Sequence, residues 1–269
     1  MASFNAAQAH QTPFIGALNP NYQADIVVLD DPYDVKVHQV IKKGHLISNH
    51  DFNTHPLSFA KNTMNFALSP ADLQLPLNSA TANIIQVILN HIETEHLVEP
   101  VSIHNGNFCP DPSNDQLKMV VVERHHHTGK IGKAIVKGFN LTHGAVASSI
   151  AHDSHNIIAV GTNDADLLAA IQHLQKVGGG ITVFANHHEL ATLPLQIGGL
   201  MSNLSYKETA QKLNAITAAY QSISRPITFN PFITLSFLAL PVIPTLKLTA
   251  RGLYDFDQQK FISVEAAAD

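Results

Sequence analysis

Cysteine is almost missing from this chain: Cys109 is the single one in 269 residues. No intramolecular disulfide can form, and a four-thiolate zinc site is excluded. Deaminases that hold zinc through His/Cys/Cys or three Cys are excluded on the same ground, for want of two further thiols. Charge is scarce as well. Asp, Glu, Lys and Arg together make up 14% of the residues, with a net charge of −5. Lys42-Lys43 is too short a basic run to track a phosphate backbone, so nucleic acid is not an expected partner. Long apolar runs are lacking: Phe232 to Ile243 is interrupted by Pro241 and falls well short of the roughly 20 residues that cross a bilayer. The start, Met1-Ala2-Ser3-Phe4-Asn5, has no basic segment followed by an apolar stretch, so no signal peptide is expected. These absences together predict a soluble, cytoplasmic protein without a membrane partner. There is also no Gly-x-Ser-x-Gly elbow, no Gly-x-x-x-x-Gly-Lys-Ser/Thr loop and no His-Glu-x-x-His helix.

What is present is an apolar fraction of 45%, enough for a globular core in one large domain or two smaller ones. Ala24 to Asp30 is β-branched and ends in the turn Asp30-Asp31-Pro32. Val35 to Ile41 alternates, Gly44 breaks it, and His45 to Ser48 resumes, which predicts a small β meander. Asn49 to Asn78 is polar and carries Pro56, Pro70 and Pro76. It reads as a connector with a helical turn near Ser69-Pro70-Ala71-Asp72, and a domain boundary is expected near Leu77, giving domains 1–77 and 78–269. Beyond it, Ala82 to Ile92, Leu117 to Val122, Ile131 to Phe139, Ala145 to Ala151 and Asn156 to Val160 read as strands. Asn163 to Val177 has apolar residues at helical spacing and a capping residue in front, and Gly178-Gly179-Gly180 stops it. Ile181 to Ala185 is again extended. Tyr206 to Ile223 is a second helix, opened by the capping box Ser205/Glu208. Phe232 to Leu240 is apolar, punctuated by Pro231, Pro241 and Pro244, and Leu246 to Leu248 is extended. Strands and helices in this order predict an α+β fold, a mixed sheet with packed helices and no TIM barrel.

The unusual abundance is histidine, with 17 residues. The densest polar constellation runs from Ser148 and Ser149 through His152, Asp153, Ser154 and His155 to Asn156, between apolar flanks that place it at a buried strand end. Imidazole and carboxylate at His152, Asp153 and His155 can hold a divalent cation or touch a substrate. The same side chains can equally satisfy one another and the local backbone in a turn, as buried polar groups must. Glu123-Arg124-His125-His126-His127 follows the strand Leu117 to Val122. If that strand persists, His125 and His127 project to one side as half of a metal site. Glu123 beside Arg124 can instead form an exposed ion pair of little energetic weight.

A set of segments occurs in fixed order: Val121-Val122-Glu123-Arg124-His125, Lys137-Gly138-Phe139, Gly144 to Asn156, Gly161-Thr162-Asn163-Asp164, Leu195 to Ser202, Pro231 to Pro244 and Thr249-Ala250-Arg251-Gly252-Leu253. Together they resemble the carboxy-terminal domain of the bacterial and archaeal adenine deaminases. Ala2 to Ala7, Gly16 to Pro20 and Ala24 to Leu29 resemble the stretch where amidohydrolases leave their barrel and re-enter a small β domain. The resemblance spans almost the whole chain. It implies a metal-dependent hydrolase of purine metabolism, acting on the C–N bond of a cyclic amidine: adenine and water give hypoxanthine and ammonia. It also implies a divalent metal, manganese or iron, held by barrel residues that precede the matched region. Such a metal lowers the pKa of bound water from 15.7 to about 7. Those barrel ligands are absent here, and His126 stands where the resemblance leads one to expect glycine. The chain is therefore expected to be inactive alone and to need an amidohydrolase barrel half, or to self-associate as a homo-oligomer. The alternative is a non-catalytic metal- or purine-binding or oligomerisation module.

Overall fold

The computed structural model describes residues 3–48 and 64–266; residues 49–63 of the expected connector, Pro56 among them, lie outside these. The chain divides into two compact units, residues 1–57 and 58–269. In the first, a short helix α1 (Phe4–Ala9) precedes an antiparallel sheet of β1 (Ile26–Asp31), β2 (Lys36–Lys42) and β3 (His45–Leu46), in that order. The Asp-Asp-Pro turn forms because the Asp31 carboxylate accepts the Tyr33 N–H at 2.7 Å. Three short strands with no second layer bury little. Among the described residues of this unit only Ala7 is buried, while Val27, Val35, Val37, Leu46 and Tyr33 are exposed.

The second unit is α+β, built on one large mixed sheet that does not close. Its strands are β4 (Thr81–Val87), β5 (Thr94–Pro100), β8 (Leu117–Val122), β9 (Ile131–Lys137), β10 (Ala145–Ser148), β11 (Ile157–Gly161), β12 (Gly180–Ala185) and β13 (His188–Pro194). They lie in the order β13-β12-β10-β11-β8-β9-β4-β5, with β4 and β9 parallel and every other pair antiparallel. A tiny hairpin of β6 (Ile103–His104) and β7 (Asn107–Phe108) sits between β5 and β8 in sequence. The helices are α2 (Asp164–Val177), α3 (Tyr206–Ile223) and α4 (Pro231–Phe237). A second antiparallel sheet, β14 (Leu246–Thr249), β15 (Gly252–Asp255) and β16 (Lys260–Ile262), completes the unit.

β8 is apolar without alternation because it is central and covered on both faces. Leu117, Met119 and Val121 join the core formed with Ile216 and Tyr220 of α3, Leu235 of α4 and Leu246 and Leu248 of β14. Val120 and Val122 join the opposite core, with Leu167, Ala170, Ile171 and Leu174 of α2. The one charge in this strand, Lys118, is buried; its Nζ donates to the Leu73 carbonyl at 3.0 Å and to Asp164 at 2.5 Å. That pins the 3-10 turn Pro70–Leu73 to the start of α2. Met64, Phe66 and Leu73, on the amino-terminal side of the expected boundary near Leu77, also pack into the α2 core.

Both sequence-predicted helices are capped as expected. The Asn163 side chain accepts the Asp166 N–H, and Ser205 and Glu208 form a reciprocal capping box. The apolar run after Pro231 is α4, a helix, because Asn230 accepts the N–H groups of Phe232 and Ile233 at 3.1 Å each and Pro231 fits the first turn. Gly132 in β9 lets the β14–β15 turn press on the sheet: a Cβ there would lie 1.9 Å from the Thr249 carbonyl oxygen. That close approach sets Thr249 to Arg251 beside the loop that follows β8.

Candidate functional site

The loop after β8 is organised by one carboxylate. β8 stops at Val122, and buried Glu123 accepts the N–H groups of His125 at 2.6 Å, His126 at 2.9 Å and Thr128 at 3.1 Å, with the Thr128 hydroxyl at 2.9 Å. Burial pushes this carboxyl up, but the four donors outweigh it and hold its pKa at about 2. The chain therefore turns at Glu123, and His125 and His127 do not share one side of a strand. The Glu123–Arg124 pair is not an exposed ion pair either; both residues are buried.

Arg124 ties three segments together. Its Nε donates to the His155 carbonyl at 2.5 Å, its Nη2 donates to the Gly198 carbonyl at 2.9 Å, and its own carbonyl accepts the Asn65 N–H at 2.8 Å. Gly199, at φ +76°, lies flat against the guanidinium, where a Cβ would come within 2.9 Å of Nη2. Ser149 completes the scaffold. Its hydroxyl donates to the Gly199 carbonyl at 2.5 Å and accepts the Gly180 N–H at 2.8 Å. Ser148 accepts the Ile150 N–H at 3.0 Å. The two serines and Glu123 are thus engaged with backbone.

The turn between β10 and β11 carries the remaining candidates. His152 stacks on Phe237 of α4 at 4.7 Å between ring centroids and lies 5.9 Å from the His155 ring. His155 Nδ1 is buried with no hydrogen-bond partner among the described residues. Burial, then the neighbouring charges of His152, Arg124 and His125, lower the His155 pKa against the pull of Asp153. His125 Nε2 donates to the Ser154 carbonyl at 2.9 Å. Among the described residues no three His, Cys, Asp or Glu side chains converge in a group able to hold a metal ion. The side chains present do not fit the divalent metal that the resemblance implies.

What the turn does border is a cavity of about 550 Å³. Glu123, His126 and Lys130 line it from the β8–β9 loop, and Asp153, Ser154 and Asn156 from the β10–β11 turn. Ala239 to Val242 after α4, Thr249 to Arg251 and Phe261 of β16 form the other wall. The volume lies within the roughly 300–1,000 Å³ of small-molecule sites, which are mostly apolar with a few placed polar groups. Of the sequence-chosen residues, Glu123 and Asp153 reach this cavity. Asn156 closes the polar constellation that begins at Ser148, whereas Arg251 and Phe261 were not candidates, since they stand about a hundred positions away and only the folded sheet brings them to it. A single polar residue between a turn and an apolar strand, as Asn156 is, was the one available signal.

An open-sheet α+β domain with a ligand-sized cavity at one loop cluster is therefore the class that fold and site define. The family described as the adenine deaminase C-terminal domain matches residues 91–260, and the chain belongs to that family. It is similar to the adenine deaminase of Lactiplantibacillus plantarum, with 49% identity over 98% of this chain and 46% of that protein. It is also similar to those of Geobacillus kaustophilus, at 45% identity over 99% and 48%, and Halalkalibacterium halodurans, at 42% over 100% and 48%. The chain spans about half the length of the curated relatives it matches. Among the described residues no helix is long and apolar enough to cross a membrane.

Proposed function

We propose that the chain serves as the carboxy-terminal half of an adenine deaminase, a hydrolase converting adenine and water to hypoxanthine and ammonia. The observation that carries this reading is identity of 42–49% to proteins named adenine deaminase, sustained over 98–100% of the chain. The metal, manganese or iron, belongs in this reading to an amidohydrolase barrel outside residues 1–269, and these residues alone do not turn adenine over. The exposed apolar side chains of the first unit support a barrel partner, since small sheets are stable when something covers a face. A second copy of the chain is the other occupant such a surface would accept. The work of the second unit in this reading is to present the turn 152–156 and the cavity beside it, with Arg124 and Ser149 holding both in place.

The test is adenine conversion by the purified chain with manganese or iron(II), with and without a separately expressed barrel half from the Lactiplantibacillus plantarum relative. Turnover only in the mixture is expected. An enzyme-like rate from the chain alone, or no turnover in the mixture, overturns the proposal.

A further inference from the structure

Asn156 is the most deeply buried polar side chain on the cavity wall that keeps an unused donor. It is 7% exposed, and its Oδ1 accepts the Arg124 N–H at 3.4 Å. Its Nδ2 has no acceptor among the described residues, yet it is not among the buried side-chain atoms cut off from solvent. The residue lines the cavity. A donor placed this way gains a fixed partner when a bound ligand offers it an acceptor. On the same turn the Asp153 carboxylate accepts no hydrogen bond within the described residues and borders the same space. Opposite them stand Leu240, Pro241, Val242 and Ala250, and the Phe261 ring with the Arg251 guanidinium stacked 4.8 Å over it. The charges around the rim balance, with Lys130 and Arg251 against Glu123 and Asp153, so nothing there selects a strongly anionic ligand.

We infer that this cavity is a binding site for a neutral, flat purine base, held between the apolar wall and the Asn156 amide. Asn156 donates to a ring nitrogen or carbonyl of the base, and Asp153 accepts an N–H from it. Adenine offers ring-nitrogen acceptors beside an amino donor, and hypoxanthine a carbonyl beside an N–H, so either base satisfies both groups. The choice of a purine rests on the function proposed above; the site itself rests on the cavity and its two unmatched polar groups. The site needs no metal and lies wholly within the second unit.

Saturation-transfer NMR and calorimetry on the isolated chain, with adenine, hypoxanthine and cytosine, test the inference. Saturable one-to-one binding of a purine, with cytosine much weaker, is expected. Asn156→Asp keeps the oxygen that receives the Arg124 N–H but removes the donor, and should weaken binding roughly tenfold. Ala250→Leu fills the cavity from the opposite wall and should abolish binding while leaving Asn156 intact; circular dichroism confirms that each variant is folded. No saturable binding of either purine by the folded chain at millimolar concentration overturns the inference, as does binding that both folded variants leave unchanged. Turnover with a barrel half but no binding by the chain alone would sink this inference and spare the proposed function. Binding without turnover in the mixture would do the reverse.

Discussion

Glu123, Arg124 and Ser149 sit within a few residues of Asp153 and Asn156 in space, and both groups are polar residues at the ends of central strands. Their hydrogen bonds separate them. The first three bond to the chain's own loops, Glu123 closing the β8–β9 loop while Arg124 and Ser149 hold the carbonyls of His155, Gly198 and Gly199. The other two leave an amide and a carboxylate turned to a cavity. Residue type does not distinguish scaffold from site here; the presence of an internal partner does.

The contrast breaks if the scaffold residues prove dispensable. Arg124→Ala removes a buried cation from two carbonyls and opens space beside Gly199, and should cost about 3–5 kcal/mol in urea unfolding. Ser149→Ala strands the Gly180 N–H and the Gly199 carbonyl, with an expected loss of about 2–3 kcal/mol by the same measurement. Glu123→Gln should cost about 1–2 kcal/mol at pH 7, less than the pKa shift taken at face value because solvent at the cavity rim screens it. Glu123 also sharpens the comparison through pH. Its folded pKa of about 2 lies below the ordinary 4.5, so its contribution is complete above pH 4.5 and is lost as pH falls towards 2. Thermal denaturation between these limits should show a steeper acid loss for the wild type than for Glu123→Gln. Asp153→Asn, on the cavity side, should change stability by no more than about 0.5 kcal/mol, the range of exposed residues outside special features. A larger loss would place Asp153 in the scaffold.

The sequence was legible where local physics is strong. Asn163 before an apolar helix and Ser205 with Glu208 locate α2 and α3, because a cap satisfies donors within one turn. The unbroken apolar run at Leu117 to Val122 locates a strand buried on both faces. Edge strands were hidden. β5 (Thr94–Pro100) and β13 (His188–Pro194) carry Glu and His on half-exposed surfaces, and only pairing with β4 and β12 makes them strands. The reading of His125 and His127 as neighbours on a strand failed because the Glu123 carboxylate, capturing three backbone N–H groups, competes with the ladder and wins.

By itself the sequence determined the α+β class, the two long helices α2 and α3 with their caps, the central strands and the family, since each is written in spacing, capping residues or ordered motifs. Only the tertiary structure decided which polar side chains are free to act. Partners for Glu123 lie a few residues away, but those for Arg124 and Ser149 lie 31 to 74 positions away, and the cavity is assembled from residues 123 to 261. Whether a hydrogen-bonding group is satisfied depends on what folding brings within about 3 Å of it, and over such separations no local rule supplies that answer.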